Sequence, residues 1–152
     1  SGAVMGFLAF RRTGKFKAID LQVALRKAQC TLKADAEELE HLLNYAKKSR
    51  ERVSAASGSF GSGATRQWLA DWEADLTSAK LLSAEAAAFQ KDCSKLSFAK
   101  LESEQVAAHV LQRKIDTLKG KYQKSLAQDD VQKHHLREDQ RIATRARIEK
   151  GS

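Results

Sequence analysis

Three groups of residues have types and spacings that chemistry could use. His134 and Glu138 stand four apart, the step that places two metal ligands on one helix face. The run DAEELE, residues 35 to 40, crowds four carboxylates into six positions. Lys133, Arg137, Arg141 and Arg145 repeat a cation every fourth residue. A zinc site wants three or four protein ligands, and no further pair converges on His134 and Glu138, so neither a metal nor a cofactor is expected. Carboxylates work as acid and base where burial perturbs their pKa values. On an open helix, DAEELE reads as a charged face. No G-x-S-x-G, phosphate loop or H-E-x-x-H is present, and the chain is expected not to be an enzyme.

The cationic ladder carries more information. Four-residue steps lay Lys133, Arg137, Arg141 and Arg145 along one side of a helix, either as a solvated face or as a basic rib that docks into an acidic groove. The whole chain leans the same way: 27 Lys and Arg against 19 Asp and Glu give +8 and a pI near 9.6. Such a balance favours an acidic partner, whether nucleic acid, anionic membrane or protein. Two cysteines, Cys30 and Cys93, without a C-x-x-C pairing, read as reduced small apolar residues.

The elements that position these residues emerge from periodicity. There is no proline in 152 residues, so the commonest helix breaker is absent. Small and apolar positions recur at Ala18, Leu21, Leu25, Ala28, Leu32, Ala36, Leu39, Leu42 or Leu43, Ala46 and Val53, in steps of three and four. This predicts a first helix over about residues 16–54. Gly58, Gly61 and Gly63 mark a turn over 55–64, with Ser62 or Thr65 able to cap the next helix. The seam resumes at Trp68 or Leu69, then Trp72, Leu76, Ala79, Leu82, Ala86, Phe89, Cys93 and Leu96, and continues through Leu101, Ala108, Leu111, Ile115, Leu118 and Tyr122. A second helix over about 65–146 accounts for it, with a C-terminal tail that orders against a partner. The expectation is one all-α domain over 1–152, an antiparallel two-helix coiled coil with a longer second helix. DCSKLS, residues 92 to 97, can cap a third helix, which makes a three-helix bundle the alternative. A hairpin would also bring Arg11, Arg12, Lys15 and Lys17 to the end that carries the ladder, forming one positive pole.

The order of a helix with ELEHLLNYAKKSRERV, a Ser/Gly turn, RQWLADWEADL, a long polar helix and the tail REDQRIATRAR resembles the FliJ/YscO family of type III export-apparatus stalk proteins. The matching patches are Leu39, Leu42 and Tyr45; Trp68 just past the turn; and Glu138, Asp139, Ala143 and Arg145 in the tail. The resemblance implies a cytoplasmic stalk at the base of a secretion apparatus, peripheral to the inner membrane. Its partners would be a hexameric export ATPase, the cytoplasmic domain of the export-gate protein and secretion chaperones. Carried over, the gate contact comprises Glu38, Leu42, Tyr45, Trp72, Leu76 and Ala79. The ATPase contact comprises Arg11, Arg12, Lys15, Lys17, Lys133, Arg137, Arg141 and Arg145. Ser49 stands where flagellar relatives carry an aromatic residue, and the apolar AVMGFLAF at 3–10 departs from the pattern. That run is about half of the ~20 residues a membrane span needs. Two other readings remain open: a basic helical module for nucleic acid, and a membrane-proximal adaptor anchored by AVMGFLAFRRTGKFK.

Overall fold

The computed structural model describes the backbone of residues 2–152 and the side chains of residues 17–152. The described chain is helical throughout, in three pieces: α1 (Gly2–Ala56), α2 (Gly63–Ala88) and α3 (Phe98–Lys150). The expected unbroken helix over 65–146 is thus corrected, because residues 89–97 interrupt it and add a second reversal.

The first reversal is built as the glycine spacing suggested. Gly58 adopts φ 70°, Ser59 N–H donates to the Ser54 carbonyl (2.8 Å) and Gly58 N–H to that of Ala55 (3.2 Å). This is the Schellman arrangement, which satisfies carbonyls left open at a helix end by putting the next residue in the left-handed region. Ser62 then caps α2, its Oγ accepting from Thr65 N–H at 3.2 Å.

The second reversal needs neither proline nor glycine. Gln29 occupies a seam position on α1 and is buried, and its Nε2 donates to the Phe89 carbonyl (3.0 Å) and the Lys91 carbonyl (3.1 Å). Gln90 Nε2 returns a bond to the Gln29 carbonyl (2.8 Å) and another to Ala86 (3.2 Å). The Ala86 carbonyl in the last turn of α2 and the Phe89 and Lys91 carbonyls just past it therefore find side-chain amide donors. Asp92 then accepts from Ser94 N–H at 3.0 Å, the local side-chain bond that competes with helix, and this N–H lowers the Asp92 pKa. Ser97 starts α3, its carbonyl accepting from Leu101 N–H (2.9 Å) and its Oγ from Lys100 N–H (3.4 Å).

The fold comprises two compact units, Ser1–Glu37 with Leu81–Asp116 and Glu38–Lys80 with Thr117–Ser152. In the first, Leu25, Leu32 and Ala36 of α1 are buried, as are Leu82 and Ala86 of α2 and Leu101, Ala108, Leu111 and Ile115 of α3. Cys93 is buried in the connecting loop, while Cys30 on α1 is exposed. In the second, α1 contributes Leu39, Leu43, Ala46 and Val53, α2 contributes Trp72 and Ala79, and α3 contributes Tyr122. Paired contacts give the helix directions there. Glu38 meets Lys119 and Arg50 meets Asp129, so α1 and α3 run in the same sense. Trp72 meets Leu43 and Thr65 meets Ser54, so α2 runs against them.

Gly58 and Gly61 separate conformation from space. A Cβ on either meets nothing within 4 Å, yet Gly58 alone has the positive φ. Gly58→Ala is expected to lower stability by about 1 kcal/mol and Gly61→Ala to leave it within about 0.5 kcal/mol, as read by urea unfolding.

Candidate functional site

The second unit gathers most of the residues singled out by the sequence, but it divides them between core and surface. Trp72 and Ala79, expected on a gate-contact surface, are buried. The Trp72 indole N–H donates to the Leu43 carbonyl at 2.8 Å, and Lys47 Nζ sits 4.5 Å from its ring centre. Leu76 is half-buried. Trp72 faces α1 at Leu43 and Lys47, where its seam spacing puts it, while α3 meets α2 at Trp68, which packs edge-on against Tyr122. That surface contact is therefore corrected for Trp72 and Ala79.

Glu38, Leu42 and Tyr45 are placed differently. Glu38 is exposed and pairs with Lys119 across α1 and α3 at 3.7 Å. With Leu39, Leu42, Lys119 and Gln123 it lines a groove of about 290 Å³. Tyr45, one turn farther along α1, is 62% exposed, too open to be a core residue.

Between these faces lies a polar cluster that periodicity did not reveal. Arg50 Nε pairs with Asp129 Oδ1 at 2.8 Å, its Nη2 donates to Ser125 Oγ at 3.0 Å, and its guanidinium lies 5.1 Å from the Trp68 ring centre. Asp129 and Ser125 succeed Tyr122 in steps of three and four, so they continue the seam with polar side chains. The available signal was phase alone, since an Asp and a Ser at core positions look like the end of an apolar stripe. Gln29 was missed for the same reason.

The cationic ladder starts beside this cluster. Lys133 Nζ donates to Ser49 Oγ (3.0 Å) and lies 3.3 Å from Asp130. Every residue from Arg137 to Lys150 is exposed. Arg137, Gln140, Arg141, Thr144 and Arg145 line an open concavity of about 510 Å³ along α3. The single reversal that would return the tail toward Arg11, Arg12, Lys15 and Lys17 is absent. Lys133 lies instead next to Ser49, near the turn end of α1. Lys17 is exposed and belongs to the first unit, and Arg11, Arg12 and Lys15 lie outside the residues whose side chains are described.

No protein-family model, curated protein or solved structure matches the chain. Its chemistry must be read from its own side chains. Among the described residues no group of three His, Cys, Asp or Glu is placed to hold a metal, and no helix is long and apolar enough to cross a membrane. His134 and His135 are exposed neighbours with ring centres 6.3 Å apart. The described residues present an exposed guanidinium row at one place and a half-apolar groove with a neighbouring tyrosine at another.

Tyr122 provides a titration test of the packing that frames the site. Burial, then its hydrogen bond to Asp75 Oδ2 (2.8 Å), raises the phenol pKa well above its ordinary 10.0. Lys121 pairs with the same carboxylate at 2.5 Å. Below about pH 10 folded and unfolded chains both keep the phenol proton; above it only the unfolded chain releases it, so stability falls as pH rises. Tyr122→Phe removes that linkage. Urea midpoints measured from about pH 9 to 11 should therefore fall more steeply for the wild-type chain than for the variant.

Proposed function

We propose that the chain is a non-catalytic docking protein whose exposed α3 face, Arg137, Arg141 and Arg145, enters an acidic groove of a protein partner. The observation that carries this reading is the exposure of α3 from Arg137 to Lys150, which leaves the guanidinium row without an intramolecular cover. Guanidinium forks suit carboxylates, and a row spaced by about 6 Å presents them in line. The resemblance to type III export stalks gives the partner its most specific form: the pore of a hexameric export ATPase, at the cytoplasmic base of a secretion apparatus. On this reading the groove at Glu38 and Leu42, with Tyr45 beside it, is the export-gate contact, and chaperone handling belongs to the same module. The family scaffold has two helices and this chain has three, so the likeness rests on the tail, on Trp68 just past the turn and on the Leu39, Leu42 and Tyr45 spacing.

A second reading has its own support. Gln140 and Thr144 share the concavity with the three arginines, and guanidinium, amide and hydroxyl groups are also what phosphate oxygens and base edges accept. Binding of duplex DNA with a steep dependence on salt would favour it. The membrane-adaptor reading depends on residues 3–10, whose side chains lie outside those described.

The triple substitution R137E/R141E/R145E separates these outcomes from misfolding, because all three side chains are exposed. Its circular dichroism should match the wild-type chain. Capture of the export ATPase and stimulation of its turnover should fall by at least about tenfold, an electrostatic loss that grows as salt is lowered. Full stimulation by the reversed chain rejects the docking face.

A further inference from the structure

Within the second unit, the attachment of α3 changes character at Tyr122. That residue is 2% exposed, packs edge-on against Trp68 and is tied to Asp75. Beyond it, the buried positions of α3 are Ser125 and Asp129. Leu126 and Leu136 are half-buried, Val131 is exposed, and α3 buries no apolar side chain from there to its end. The segment is held by one guanidinium, since Arg50 bonds both Ser125 and Asp129, and by Lys133 on Ser49. Asp129 is 1% exposed, and although Arg50 Nε lies 2.8 Å from Oδ1, neither carboxylate oxygen receives a well-aligned hydrogen bond. A buried ion pair without well-aligned hydrogen bonds recovers little of the desolvation it costs, and so contributes weakly to holding the helix down.

We propose that residues 123–136 of α3 form a strap that opens locally while Tyr122 stays docked, with the Arg50–Asp129 pair as its latch. Opening uncovers Ser49, Arg50 and the Trp68 face on which Arg50 lies. The turn end of α1 is then a surface closed at rest, and the strap that closes it is continuous with the basic row. This device does not depend on which partner takes that row. Its physical basis is that helices open in segments according to how much apolar surface each segment buries.

Hydrogen exchange of the intact chain, read by mass spectrometry, tests the strap directly. Amides of 125–133 should exchange at least about tenfold faster than those of 108–122. R50A, which leaves Asp129 buried without its cation, should speed exchange in 125–133 by a further tenfold or so and leave 101–115 unchanged. Equal protection of 125–133 and 108–122 in the wild-type chain would overturn the proposal, as would acceleration of 101–115 along with the strap. If R50A does not fold, D129N, which keeps the side-chain shape and removes the charge, is held to the same two criteria.

Discussion

The arrangement depends on a side-chain amide. Gln29 sits where the seam of α1 would otherwise carry an apolar residue, and it gives its N–H groups to the carbonyls of Phe89 and Lys91. Those carbonyls lie in the connection just past α2, where unmet acceptors buried in a helix interface would be costly. Meeting them from α1 lets α2 stop at Ala88, and Ser97 then starts α3. Without this stop the chain would be a long hairpin. With it, a third helix meets α2 at Trp68 and Asp75.

The two units use the same helices and differ in what lies between them. The first is filled by leucine, isoleucine and alanine, with Gln29 as its polar member. The second mixes Leu39, Leu43 and Tyr122 with Ser49, Ser54, Thr65, Ser125 and Asp129, all buried. Apolar burial contributes about 25 cal/mol per Å², whereas buried hydroxyls and carboxylates must find partners merely to offset desolvation. Polar seams instead fix register, because Arg50 reaches Ser125 and Asp129 together in one alignment of α1 and α3.

Much of the fold was legible in the sequence. The three-and-four spacing identified α1 from about residue 16 to its end, although the helix already begins at Gly2; Gly58 identified the first turn, and Ser62 was among the caps named for α2. The second reversal was legible only as the alternative that DCSKLS offers, because Phe89, Cys93 and Leu96 keep the helical phase while lying in a loop; two are half-buried there and Cys93 is buried. Spacing reports which residues face inward, not whether the backbone between them is helical. The ladder on α3 could be read directly, since a polar row at four-residue spacing marks an outer helix face. The gate-contact set came from the family resemblance, and it put on the surface Trp72 and Ala79, which the three-and-four spacing assigns to the seam and which are buried.

The two thiols differ in a way that makes the loop observable. Cys30 stands exposed on α1 and Cys93 is buried beside Gln29, with the amide Nε2 3.7 Å from its sulfur. An alkylating reagent therefore meets one sulfhydryl at once and must wait for the other. The rate of that second modification counts the excursions in which the connection between α2 and α3 leaves its glutamine, in a chain carrying no substitution.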